Sequence, residues 1–152
     1  MAYGTGSIPF VRTTDIADLK VKADPRQGVC QQIHDEYAAK AAVQEGDVLV
    51  VRDGTYLVGS SAIVTATDAP ALICGGIYRL RSSNPEQLDP NGLLGLLNLP
   101  LVRRQMRAKQ FTRDVIDTLG KRFFEVLIPD PMSQSARLLG GKLRLSWRIV
   151  KI

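Results

Sequence analysis

Apolar positions in this chain change their spacing along its length. Over the first ninety or so residues they fall in short runs, and from about residue 93 they recur at helical intervals. The sharpest run is Val48, Leu49, Val50 and Val51. A short, wholly apolar, mostly β-branched run is the signature of a strand buried on both faces. Glu45-Gly46-Asp47 opens it and Arg52-Asp53-Gly54 closes it. Asp-Gly favours a turn, because Gly accepts a positive φ without steric cost and Asp bonds to nearby backbone. Residues 62–65 read as the next strand, and residues 72–80 as another, interrupted by Gly75-Gly76. Residues 8–12 form a short extended piece, where Pro9 suits an edge or a strand start. Ile8, Phe10, Val48, Val50, Ile63 and Ile77 are the expected core.

Helical patterns occupy two places. Residues 27–44 form a polar, helix-prone run containing Ala38, Ala39, Ala41 and Ala42. Further on, Leu93, Leu94, Leu96, Leu97, Leu101 and Val102 recur at helical spacing, with Pro100 marking a kink or a break between two helices. Arg103, Arg104, Arg107 and Lys109 follow, with Arg103 and Arg107 four apart and Arg104 beside them, which makes a compact basic face. Between these elements, Thr13-Thr14-Asp15 suits a turn or helix cap, and residues 15–22 read as one helical turn or a loop. Residues 66–71 and 82–91 are loops. Residues 111–114 read as a break. Val115, Ile116, Leu119, Phe123 and Phe124 then read as a short helix running into a strand at 125–129, which stops at Pro129-Asp130-Pro131. A helix over 132–139 and an alternating strand over 143–150 complete the chain, which has no internal repeat.

Size and composition narrow the class. The 152 residues suit one domain with a core that needs no staples. No apolar run approaches the roughly 18 residues of a membrane span, and residues 1–10 lack the regions of a signal peptide. Cys30 and Cys74 stand in no metal-binding spacing and are expected to be reduced thiols of a cytoplasmic protein, with Cys74 in the core. The net charge of +5 is unevenly spread: residues 1–90 carry 8 Lys/Arg and 11 Asp/Glu, residues 91–152 carry 12 and 4. A basic half is the footprint of a nucleic-acid binder; it also fits a solvated helix face followed by a basic tail.

Catalytic patterns are missing. His34 lies beside Asp35 and Glu36, without a local nucleophile, and reads as a surface or capping histidine. Residues 54–61 hold two glycines separated by four residues, as in a phosphate loop, but Ser60 stands where the lysine belongs. Nucleoside triphosphate binding is excluded on that ground, and the stretch reads as a corner between strands. There is no Asp/Asn-Pro-Pro-aromatic motif of an amino-methylating DNA methyltransferase, no glycine-rich cofactor loop and no paired metal ligands. The expectation is a non-enzyme that takes no cofactor and no metal.

Four segments in order carry a resemblance: 6–16 (Gly-Ser-Ile-Pro-Phe-Val-Arg-Thr-Thr-Asp-Ile), 46–55 (Gly-Asp-Val-Leu-Val-Val-Arg-Asp-Gly-Thr), 77–81 (Ile-Tyr-Arg-Leu-Arg) and 128–131 (Ile-Pro-Asp-Pro). Together they resemble the target recognition domain of type I restriction–modification specificity subunits, also found fused behind adenine-type DNA methyltransferases. The resemblance covers about residues 6–131; residues 132–152 are a divergent tail. It implies an α+β fold, with short twisted, coiled strands in a compact sheet followed by a helical segment. It implies a single domain over 1–152, where full-length specificity subunits carry two.

It also implies sequence-specific recognition of double-stranded DNA without catalysis. The partners would be a DNA methyltransferase (modification) subunit and a restriction subunit, with a homodimer as a further assembly and no membrane. Such a domain fixes its register on phosphates and reads base edges with a few side chains. The phosphate role falls to Arg103, Arg104, Arg107 and Lys109. The base-reading role falls to the corners: Arg12, Thr13, Thr14, Arg52, Thr55, Tyr56, Arg79 and Arg81. Arg52-Asp53 also reads as a structural ion pair or turn cap, and Arg79 and Arg81 as the solvent side of an alternating strand. The alternative function is a protein-interaction module, docking a methyltransferase or a second copy through residues 93–102 or the tail around Trp147.

Overall fold

The computed structural model describes residues 4–54, 56–113 and 116–129. Four short strands and a helix come first: β1 (Phe10–Val11), β2 (Ile16–Ala17), β3 (Leu19–Val21), α1 (Gln31–Ala41) and β4 (Ala42–Val43). Next are β5 (Val48–Val51), β6 (Ser61–Ile63), β7 (Ala71–Ile73) and β8 (Ile77–Leu80). Two helices follow, α2 (Pro90–Asn98) and α3 (Pro100–Lys109), then β9 (Phe111–Arg113), β10 (Ile116–Thr118) and a 3-10 turn at Gly120–Glu125. The class is α+β, as the sequence implies.

β5 lies inside a five-stranded sheet of order β2-β3-β6-β5-β8, antiparallel to both its neighbours. All four of its side chains are wholly buried. The alternation of a strand divides them. Val48 and Val50 face Leu93, Leu94 and Leu97 of α2, Val102 and Met106 of α3, and Phe123. Leu49 and Val51 face Val11, Val43, Ala71 and Ile73, the inner side of a three-stranded sheet of order β1-β7-β4. The outer side of that small sheet, Phe10 and Leu72, is covered by Ile33, Tyr37 and Ala41 of α1. The layers therefore run α2/α3, large sheet, small sheet, α1. Full burial contributes about 1.5–3 kcal/mol for each such side chain before the entropy of ordering it.

Polar groups close one end of β5. Asp47 is fully buried, and its carboxylate accepts from Arg81 Nε at 2.7 Å, Arg81 Nη2 at 2.9 Å and the Gln44 backbone N–H at 3.0 Å. The pair bolts the start of β5 to the end of β8.

The structure corrects several local expectations. Residues 15–22 form the β2–β3 hairpin after a 3-10 turn at Thr13–Asp15. At its tip Asp18 and Leu19 both have positive φ, 53° and 64°, which is the two-residue turn that suits strand twist. The 72–80 stretch divides at Cys74–Gly76, with β7 in the small sheet and β8 in the large one. Residues 111–113 are strand β9, and the helix-then-strand order expected after them is reversed: β10 precedes the 3-10 turn. Residues 126–129 take no strand. The side-chain amide of Gln105 holds this segment instead, donating to the Leu127 carbonyl at 2.8 Å and accepting from its N–H at 2.9 Å. Of the expected core, Phe10, Val48, Val50 and Ile77 are buried, while Ile8 and Ile63 are half-buried. Cys74 is a half-buried free thiol packed against the small sheet. Expectations for Thr55, Asp114, Val115 and residues 130–152, including Trp147, lie outside the described residues.

Two substitutions test this account by equilibrium urea unfolding. Arg81→Ala leaves the buried Asp47 carboxylate short of its charged partner and should cost about 1–3 kcal/mol. Leu19→Gly should stabilise by about 1 kcal/mol, because a side chain at left-handed φ carries a penalty of that size. A loss of stability in Leu19→Gly would mean that the Leu19 side chain holds the hairpin.

Candidate nucleic-acid interface

The four basic residues of α3 do not act together. Arg103 points inward: its guanidinium donates to the Gly59 carbonyl, and burial together with repulsion from Arg107 lowers its pKa. Lys109 pairs with Glu125 at 2.9 Å. Arg104 and Arg107 are exposed, and neither has a carboxylate within ion-pair distance among the described residues. The exposed basic face of α3 is therefore Arg104 and Arg107, and the other two cations hold structure.

Arg103 matters through what it clamps. Gly59 ends the loop between β5 and β6, with φ of 80°, and a Cβ there would meet Met106 Sδ at 3.0 Å. Glycine is needed both for that conformation and for the loop's close approach to α3. Gly59 N–H donates to the Val51 carbonyl at 2.8 Å, which closes the loop at its base. The loop displays Tyr56, which is 95% exposed.

A second group of expected residues meets at the same end of β5. Arg52 and Asp53 form a two-point ion pair: Arg52 Nε lies 3.0 Å and Nη2 2.7 Å from the Asp53 carboxylate. This hydrogen bonding raises the Arg52 pKa. The Arg52 and Asp53 N–H groups both donate to the Gly76 carbonyl, at 2.8 and 3.2 Å. Gly76 itself sits under Thr13, whose Cγ2 would lie 3.0 Å from an added Cβ. The 12–15 turn is thus packed beside Arg52-Asp53. Within that turn Arg12 is held by Asp15, with Nη2 to Oδ1 at 3.0 Å, and Thr14 Oγ1 reaches the same carboxylate at 3.4 Å. Arg12, Thr13, Thr14, Arg52 and the Tyr56 loop therefore share one end of the large sheet.

Arg79 and Arg81 do not join them. Arg79 lies opposite Leu49 in the β5–β8 register, and its guanidinium donates to the Ala42 carbonyl. Arg81 is committed to Asp47 at the far end of β5. Both tie elements together at that end.

A feature outside the expected residues lies next to Arg52. A cleft of about 710 Å³ opens between Arg52-Asp53, Tyr78, the β9–β10 hairpin and the 120–125 turn. A closed chain of contacts forms its floor. Arg52 lies 5.7 Å from the Tyr78 ring centre. The Tyr78 hydroxyl donates to the Gly120 carbonyl. Gly120 N–H donates to Thr118 Oγ1 at 3.0 Å, and that hydroxyl donates to Asp53 at 2.5 Å. Burial raises the Tyr78 pKa, with the Arg52 charge opposing. The sequence signal for this cleft is the interleaving of Lys121-Arg122 with Phe123-Phe124, which the basic run of α3 overshadowed.

Other chemistry finds little footing. His34 Nδ1 lies 3.2 Å from Asp35 Oδ1, and that hydrogen bond lowers the Asp35 pKa. Among the described residues no three His, Cys, Asp or Glu side chains are grouped to hold a metal. No described helix is long and apolar enough to cross a membrane.

The Lys109–Glu125 pair ties α3 to the cleft wall and has a pH signature. The hydrogen bond and charge of Lys109 lower the Glu125 pKa. A carboxyl with a depressed folded-state pKa stabilises the fold above its unfolded pKa, and this is lost as pH falls through the folded pKa. Carboxyl NMR titration should place the Glu125 midpoint below that of the same group in Lys109→Ala. Equal midpoints would dissolve the pair.

No family model matches the chain. No curated protein matches it. A solved chain from work on the structural basis of complex assembly and conformational transition of the type I R-M system superposes with a TM-score of 0.48 and 18% identity, over 69% of this chain and 26% of that one. This chain thus spans about a quarter of the length of the solved chain it matches.

Proposed function

We propose that this protein is a recognition module for double-stranded DNA that performs no chemistry itself and serves a DNA methyltransferase in a type I restriction–modification system. One observation carries the reading. Two exposed arginines of α3, Arg104 and Arg107, stand beside a loop that Arg103 clamps to the same helix, and the loop projects a fully solvated Tyr56. Uncompensated cations next to a braced, projecting loop suit phosphate anchoring with base-edge readout. Arg52 is the best-placed reader, because Asp53 engages its Nε and Nη2 and, among the described residues, none takes Nη1. Thr13 and Thr14 stand beside it on the same sheet end. The motif resemblance in residues 6–131 supplies the methyltransferase as partner, and a restriction subunit through the same assembly.

A second reading has its own support. Leu99 and Leu101 are exposed where α2 meets α3, and an apolar pair at a helix junction favours a docked partner or a second copy. Under that reading the isolated chain associates without binding DNA.

Binding of the purified chain to a randomised duplex pool across a salt series separates the two. Wild type should retain a short enriched motif. Arg104→Ala with Arg107→Ala should lower the slope of log affinity against log salt by about 1.8, at about 0.9 per phosphate contact. Arg52→Ala should change the enriched motif more than the slope. An unchanged slope in the double variant removes the phosphate assignment. Absence of binding at low salt leaves the docking reading.

A further inference from the structure

The cleft beside Arg52 is unlike the rest of the surface. Its walls are aromatic, its rim is cationic, and its floor is braced by the contacts around Thr118 and Tyr78. Tyr78 stacks on Phe123, with ring centres 4.8 Å apart and planes 23° apart. Phe124 leans on both rings, at 6.0 and 5.9 Å, yet remains 53% exposed. A large aromatic side chain held by two rings while facing solvent is a fixed platform, with its orientation set in advance. Across the cleft Arg122 covers Phe111, 4.5 Å from the ring centre.

The charges on this cleft do not cancel. Of its two acidic side chains, Asp53 is engaged by Arg52 and Glu125 by Lys109. Lys121 and Arg122, both exposed, have no carboxylate within ion-pair distance among the described residues. The ligand that fits has a flat π-face for Phe124 and an anion for the rim. An apolar peptide would leave both cations unmatched. The concavity of about 710 Å³ lies in the range of small-ligand pockets. We infer that the cleft receives one unpaired nucleotide of a DNA strand, its base stacked on Phe124 and its phosphate held by Lys121 and Arg122. This site is separate from the Arg104–Arg107 face and adds a single-strand contact to the duplex reading above.

The test uses the full chain and a fifteen-nucleotide thymidine strand carrying one central 2-aminopurine. Stacking on aromatic side chains contributes about 1–3 kcal/mol per base, so Phe124→Ala should weaken binding of this strand about tenfold and abolish the fluorescence change of the probe. Phe124→Tyr should restore both. Lys121→Ala should lower the salt slope by about 0.7, the single-strand value for one phosphate. Phe124→Ala should still unfold in a single cooperative thermal transition, and its duplex binding should match wild type, which separates loss of the platform from loss of the fold. Equal strand affinity in Phe124→Ala overturns the inference, as does duplex binding without strand binding. Binding of 2-aminopurine nucleoside monophosphate alone, with none of the strand, also overturns it. Strand binding that survives when duplex binding is absent would sustain this site and remove the duplex reading.

Discussion

The fold depends on β5 having no solvent face. Four consecutive apolar side chains with zero exposure require a layer on each side of the strand, and the remaining chain supplies them. α2 and α3 cover one face and the small sheet covers the other. The small sheet is itself covered by α1, because its outer side chains Phe10 and Leu72 would otherwise meet water. Each layer answers an exposure created by the one before it. The chain pairs neighbouring stretches where they meet and imports distant ones where they do not, as β1 does with β7.

A strand buried on both faces leaves only its ends for polar contact, and the two ends are used differently. At the Asp47 end a buried carboxylate is saturated by Arg81 and Gln44, so that end is sealed. At the Arg52 end the ion pair is open to solvent on one edge, and three independent segments converge there: the 12–15 turn, the clamped loop and the cleft. Both partners of the ion pair at this end are partly exposed, whereas at the other end Asp47 is fully buried and only Arg81 reaches solvent. One end closes the sheet and the other leaves its polar groups in reach of solvent.

The order of the elements was legible because period and turn chemistry agree in this sequence. The 48–51 run, the break at Pro100 and the helical leucines all signal locally what they become. The misreadings share a cause. Residues 15–22 hold too few apolar positions for a period to register, and their hairpin depends on positive φ at Asp18 and Leu19, which Asp tolerates but Leu does not advertise. Residues 125–129 are apolar enough for a strand but find a glutamine side chain in place of a neighbouring backbone. The site was legible in part. Arginine at spacing 103, 104 and 107 reveals a basic face, but spacing does not show that Arg103 turns inward or that Lys109 meets Glu125, since both partners are distant in sequence. Phe124 was hidden for the opposite reason: an aromatic beside another aromatic reads as core.

The Arg103 clamp carries an implication for how such a surface diversifies. Its acceptor is a main-chain carbonyl, and its demand on sequence is glycine at position 59. The loop between β5 and β6 is therefore gripped at its root, independently of what its tip carries. Change at position 56 leaves the grip, the sheet and both cores as they are. A contact surface mounted this way can drift in what it touches at little cost to folding, while the arginine that makes the drift harmless must itself stay fixed.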